Sequence, residues 1–293
     1  MNQRKLNRTY PFWITSPAII IYTLFFIVPI LASFVFSFTN WNMDRMDSPS
    51  FNGLDNFRNL FSEGVFFRSM MNTFLFAFVT TILKTVVGLA LALLVVQKFF
   101  GNSFFRTLFY MPSVLSPMIV GLLFTAILKQ EGLMNNILNS LGLGQFATDW
   151  LGSYGTAMFW IIAIEIWMWA GFSMFIFISG LQAISKDYYE AADIEGAGAW
   201  VKFRSITLPL LAPSFTVVTT LNITGGLKVF DLVYSLTGGG PGTDTQVLNT
   251  YTYRAFGMGL LGKSSASVLV LSVVVVFITF ALNKFLKARE VEA

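Results

Sequence analysis

A chain of 293 residues without a single histidine or cysteine has few ways to break bonds. Histidine is the side chain that changes charge near neutral pH and the commonest metal ligand, and cysteine supplies thiolates and disulfides. With both missing, no catalytic residue and no metal site can be named. One stretch does match a chemical fingerprint: GMGLLGKS, Gly257 to Ser264, fits G-x-x-x-x-G-K-[ST], the loop that cradles nucleotide phosphates. That loop requires a strand before it, a helix after it and an α/β domain around it. Only 29 residues follow Ser264, most of them apolar. The match is therefore expected to be fortuitous, with Lys263 holding no phosphate.

The remaining chemistry lies in polar residues set inside apolar runs. Lys84, Glu165, Asn222, Lys228 and Asp231 all interrupt such runs. A charge at bilayer depth costs a few kcal/mol on insertion scales, so its presence marks function by default. Lys228 and Asp231 stand three positions apart, which places them on one face of a continuous helix and within pairing reach. With Asn222 one to two turns earlier and Tyr234 following, they form a candidate polar wall of a solute pathway. A structural ion pair, or packing against another membrane subunit, accounts for the same residues. Trp160, Trp167 and Trp169 are able to stack on sugar rings or simply to pack, and Trp167 is the candidate for the pathway. Lys84 and Glu165 are read as structural, either snorkelling or paired across helices.

The elements that hold these residues follow from composition. The chain is 55% hydrophobic, 12% charged and 16% aromatic, which excludes a soluble globule. It is expected to be an all-α polytopic membrane protein, a single domain over 1–293 with six transmembrane helices. The apolar runs fall at about 12–38, 69–96, 107–128, 156–181, 213–236 and 265–285, each long enough for a ~30 Å hydrocarbon layer. The first is about twice the ~7–15 residues of a signal-peptide core, so it is expected to be retained. Pro112 and Pro117 should kink the third. Residues 97–106 read as an internal turn, 39–68 and 129–155 as external loops, and TGGGPGTDT (237–245) as the start of another.

Segments assigned to the inside carry eleven basic residues: Arg4, Lys5, Arg8, Lys98, Arg106, Lys186, Lys202, Arg204, Lys284, Lys287 and Arg289. Outside segments carry six: Arg45, Arg58, Arg68, Lys129, Arg254 and Lys263. This asymmetry obeys the positive-inside rule and places both termini and the loop at about 182–212 in the cytoplasm. The net charge of +4 is accounted for by these flanks and implies no nucleic-acid partner.

That internal loop holds YEAADIEGAGAWVKFRSITLPLLAP, Tyr189 to Pro213. Acidic residues would be repelled by a negatively charged inner leaflet, so the helix is expected to dock onto a protein rather than lie on lipid. Ala191, Ala192, Gly196 and Ala197 let a partner approach the backbone, and Gly196 is a natural helix stop.

The order of these residues resembles the coupling loop, or EAA loop, of bacterial ABC importer permeases. The matching positions are Glu190, Ala191, Ala192, Gly196, Ala197, Phe203, Ile206, Leu208, Pro209 and Pro213. Glu195 stands where the family usually has Asp, and Ser185 where it usually has Pro. A second stretch, Phe230, Asp231, Tyr234, Leu236, Thr237, Gly239, Gly240 and Pro241, is similar to the F-D-x-x-Y…L-T-x-G-G-P signature of carbohydrate-type permeases, among them those for maltose and glycerol phosphate. The resemblance implies a MetI-like importer permease fold in a bacterial or archaeal cytoplasmic membrane. It implies transport of a sugar, oligosaccharide or polyol, with Glu190, Ala191, Ala192, Glu195, Gly196 and Ala197 coupling the chain to an ATPase. Partners implied are a second, homologous permease in a heterodimer, two ATP-binding cassette subunits and an extracytoplasmic solute-binding protein. ATP and magnesium belong to those cassette subunits, and no cofactor to this chain, which is then no enzyme. An ion- or proton-coupled secondary carrier is the alternative.

Overall fold

The computed structural model describes residues 13, 15–45, 49–97 and 100–288. Arg4, Lys5, Arg8, Lys98 and Arg289, and with them both termini, lie outside the described residues. The chain divides into two compact units, Met1–Glu63 with Thr252–Ser272, and Gly64–Tyr251 with Val273–Ala293. Among the described residues there is no strand, only an isolated bridge between Thr39 and Phe51.

The first unit begins with α1, Ser16–Phe36, an apolar helix none of whose residues is buried. It widens into a π turn at Thr23–Ile27, just before Pro29, a position where proline supplies no N–H to the helix ladder. α2, Asp55–Ser62, follows, with Asn56 and Leu60 buried. The buried Asn56 amide donates to the carbonyls of Ser37 and Thr39 at 2.9 and 2.8 Å, which anchors the segment after α1.

The second unit is built on α3, Gly64–Val96, and α7, Thr156–Ala183. Both are apolar nearly all round, as membrane helices buried within a bundle are. Close approach is bought with small residues: a Cβ on Gly88 of α3 would sit 2.6 Å from the Ser173 Cβ of α7. α4, Asn102–Tyr110, starts inside the stretch expected to be a turn. It is separated from α5, Pro117–Leu128, by a 3₁₀ turn and extended backbone at Leu115 and Ser116. The expected kink is thus a full break, because the residue before Pro117 is driven out of the helical region. α6, Leu133–Ser140, lies in a stretch expected to be loop.

After α7 come α8, Lys186–Ile194, and α9, Ala199–Leu210, which bends by 65° into α10, Ala212–Leu227. The expected run at 213–236 is not one helix. It stops at Leu227 and resumes as α11, Asp231–Thr237. α12, Leu248–Gly257, and α13, Leu261–Lys287, complete the chain. Among the described residues five stretches are long and apolar enough to cross a membrane, α1, α3, α7, α13 and Pro117–Ser140 with α5 and α6 taken together, and six if the bent α9–α10 pair is one span. One apolar core joins α3, α5, α7 and α11 through Phe76, Val120, Ile161, Met168, Leu232 and Val233. A second joins α3, α7 and α10 through Val95, Met174, Phe177 and Val218.

The glycine-rich stretch after α11 is folded back rather than looped out. Thr245 to Leu248 are almost wholly buried. The Asn72 amide of α3 donates to the carbonyls of Asp244 and Gln246 at 2.8 and 2.9 Å, and Thr73 Oγ1 accepts from the Leu248 N–H at 2.9 Å. Gly238, at φ 59°, ends α11 in the left-handed region where glycine carries no Cβ penalty.

Candidate functional site: a half-open cavity and an exposed helix

α3, α7, α10, α11 and the start of α5 line a half-open cavity of about 320 Å³, within the size range of small-molecule sites. Its polar wall consists of Lys84, Glu165, Asn222, Lys228 and Asp231, and its apolar wall includes Trp169, Phe172 and Phe230. All five polar residues singled out inside the apolar runs therefore meet in one place.

Of the two pairings weighed from the sequence, one forms and the other does not. Lys84 Nζ lies 2.9 Å from Glu165 Oε1, and the two residues are only 2% and 7% exposed. This pair lies in the wall of the cavity itself. Lys228 and Asp231, expected to share one helix face, do not form an ion pair with each other. The reason is the helix break: Lys228 caps the C-terminus of α10, and Asp231 opens α11. The carbonyls released at Lys228 and Val229 are taken by the Asn249 amide at 2.8 and 3.3 Å, which stabilises the interruption. Two glycines precede it, and Gly226 lets α10 press on α3, where an added Cβ would meet the Ala77 Cα at 2.7 Å. Asn222 is buried and donates from Nδ2 to Ser173 Oγ at 3.1 Å.

The aromatic choice also shifts. Trp169 lines this cavity. Trp167 instead sits edge-on to Phe124 at 5.5 Å and lines a separate, almost wholly apolar cleft between α3, α4 and α7. Two positions apart on a helix means about 200° of rotation, so the two rings point to opposite sides. Tyr234 is not in the cavity lining but stacks on Phe230, which is, with centroids 5.2 Å apart.

The second site is α8. Ser185 takes the N-cap, its hydroxyl accepting from the Asp187 N–H at 3.3 Å. A serine cap thus serves at the position where the family it resembles usually has proline, since its oxygen satisfies an otherwise orphaned donor. At the other end, the Ala197 N–H reaches the Ala192 carbonyl at 2.9 Å and the Gly196 N–H the Asp193 carbonyl at 3.1 Å. This is a Schellman closure, and it needs Gly196 at φ 75°. α8 is tied to α9 by the Lys202–Asp193 ion pair and by Tyr189 Oη, 3.0 Å from Thr207 Oγ1. Glu190, Ala191, Glu195 and Gly196 face outward and Ala192 and Ala197 are half-buried. Beside them Tyr188, Ile194 and Trp200 are 49%, 89% and 69% exposed. Acidic charge and large apolar side chains on α8 and the start of α9 make a surface suited to another protein.

The phosphate-loop match is occupied structurally. Lys263 pairs with Glu63, and the Gly262 N–H donates to the Trp41 carbonyl at 2.7 Å. A Cβ on Gly262 would lie 2.2 Å from the Thr39 carbonyl oxygen, so the glycine serves packing.

Known proteins place this architecture. The model of the binding-protein-dependent transport system inner membrane component family matches residues 84–290. The probable ABC transporter permease protein YurN of Bacillus subtilis is 34% identical over 294 residues, covering 98% of this chain and 99% of its own. The trehalose/maltose transport system permease protein MalF of Thermococcus litoralis is 33% identical over 268 residues, covering 89% and 90%. Among solved structures, a bacterial ABC transporter involved in the import of the acidic polysaccharide alginate superposes with a TM-score of 0.84. That match covers 98% of each chain at 24% identity, a likeness of fold.

Proposed function

The chain belongs to the family of binding-protein-dependent transport system inner membrane components, and we propose that it forms one half of the solute pathway of an ATP-driven importer for a sugar or oligosaccharide. It is a multi-pass permease, and the hydrolysis of ATP belongs to separate subunits. The observation that carries the reading is α8: a capped, outward-facing helix whose small residues and flanking apolar side chains are presented for docking. Glu190 to Ala197 would seat in a groove of one ATPase, which uses ATP and magnesium. Tyr189 and Lys202 link α8 to α9, and the 65° bend carries α9 into α10, whose C-terminal end walls the cavity. A movement imposed on α8 by ATPase closure would thereby reach Asn222 and Lys228. The cavity then opens to alternate sides of the membrane without any bond being made in this chain.

The remaining parts follow from this placement. The membrane is the cytoplasmic one, with α8 and both termini on the cytoplasmic side. A second, homologous permease completes the pathway, and an extracytoplasmic solute-binding protein delivers the solute. Sugars are favoured by the relatives, among them a probable starch degradation products transport system permease of Thermoanaerobacterium thermosulfurigenes. Within the cavity, Asn222, Lys228 and Asp231 offer donors and acceptors to hydroxyls, while Trp169, Phe172 and Phe230 offer ring faces.

The test is to tag the chain, extract it from its own membranes in mild detergent and identify by mass what accompanies it. An ATPase bearing a phosphate-binding loop and a second permease are the expected companions. A chain that emerges alone, or only with copies of itself, would overturn the reading.

A further inference from the structure

The four ionisable side chains around the cavity are Lys84, Glu165, Lys228 and Asp231, and their signs cancel. Lys84 and Glu165 cancel by contact and are nearly inaccessible. Lys228 and Asp231 cancel only in sum: both are exposed, and among the described residues neither has an ion-pair partner. The Asn249 amide, by holding the Lys228 and Val229 carbonyls, keeps the helix broken between them. One ammonium and one carboxylate are thereby held apart and available to a ligand.

We propose that the imported solute is an uncharged oligosaccharide and that Lys228 and Asp231 are the residues that read its charge. The inference rests on the importer reading above. A sugar hydroxyl both donates and accepts, so one neutral polyol satisfies the ammonium and the carboxylate together. An acidic sugar gains at Lys228 but meets a like charge at Asp231, and its own desolvation is left uncompensated. The fold does not decide this, because its structural neighbour belongs to an importer of an acidic polysaccharide. Local charge does. A zwitterion would also answer both charges and could set a quaternary ammonium on Trp169, Phe172 and Phe230, whose faces equally suit the C–H edges of a sugar ring. The importer reading favours the sugar, and a betaine in the assay separates the two.

Cells with and without the chain are given one mixed pool of neutral di- to tetrasaccharides, galacturonate oligomers and glycine betaine, and depletion is followed by mass spectrometry. Chain-dependent loss should be confined to neutral sugars, with at least a tenfold preference over the uronates. Asp231→Lys should lower that preference at least tenfold. Asp231→Asn, measured alongside at matched membrane levels, should lower it less and serves if the lysine variant fails to insert. Chain-dependent loss of uronate or betaine in the wild type, or an unchanged preference in the variants, overturns the charge assignment and leaves the importer standing. No chain-dependent loss of any carbohydrate overturns the importer reading instead.

Discussion

The ammonium of Lys84 and the carboxylate of Glu165 meet at 2.9 Å across 81 positions of sequence, on the two longest helices of the second unit. Two charges of opposite sign buried together are balanced only while both are present. Removing one partner of such a pair costs about 3–5 kcal/mol, whereas replacing both by apolar groups is often neutral. Glu165→Gln and Lys84→Met should each lower the thermal stability of the detergent-purified complex by that order. The double variant Lys84→Met/Glu165→Leu should recover most of it. Additive losses in the double variant would mean that the pair is not coupled.

Docking through α8 makes a prediction that stability does not. Glu190→Lys and Gly196→Asp should abolish uptake while the amount of chain in the membrane stays unchanged, because each residue faces outward. Gly196 has free space where a Cβ would go, so its constraint is the positive φ. Gly196→Asn, which tolerates the left-handed region, should retain more uptake than Gly196→Val. Uptake at the wild-type level in all four variants would remove α8 from the mechanism.

Asn72 fastens the segment after α11 to α3 by two donations. Asn72→Ala leaves two carbonyls without that donor, at about 1–3 kcal/mol for a buried unsatisfied group. Limited proteolysis should then cut between residues 238 and 247 faster than in the wild type. Unchanged cutting would show that other contacts, such as that of Thr73 Oγ1 with the Leu248 N–H, hold the segment by themselves.

Lys263 supplies a control. Its pair with Glu63 is partly exposed, and such pairs are worth about 0.2–1 kcal/mol. Lys263→Met should change uptake by less than about twofold, and photolabelling with an ATP analogue should mark only the ATPase subunits. Label on this chain that disappears in Lys263→Met would reinstate the phosphate loop.

The parts legible in the sequence were those set by local chemistry. Gly196 ends α8 because only a residue tolerant of positive φ closes a Schellman turn there, and the surrounding motif could be read letter by letter. The apolar runs announced most of the long helices. The polar residues of the cavity announced themselves by their cost in an apolar setting. What was not legible was whether Lys84 and Glu165 pair or snorkel, and that Lys228 and Asp231 stay apart. Which cation meets which anion depends on the Gly88 and Gly226 approaches, and on an Asn249 amide some twenty positions from the break it stabilises. Nor did the pattern distinguish Trp167 from Trp169, because a helix that is apolar all round carries no amphipathic signal of rotation. The glycine-rich stretch reads as a surface turn by composition, yet the donors that bury it lie more than 170 positions away on α3.

The most direct test of the central claim is the energy source. The chain, purified with its companions and reconstituted in liposomes with the solute-binding protein and its sugar outside, should accumulate that sugar only when ATP and magnesium are enclosed. Collapse of ion gradients should make no difference. Accumulation driven by an imposed proton or sodium gradient, with no ATP present, would contradict the account and make this chain a secondary carrier.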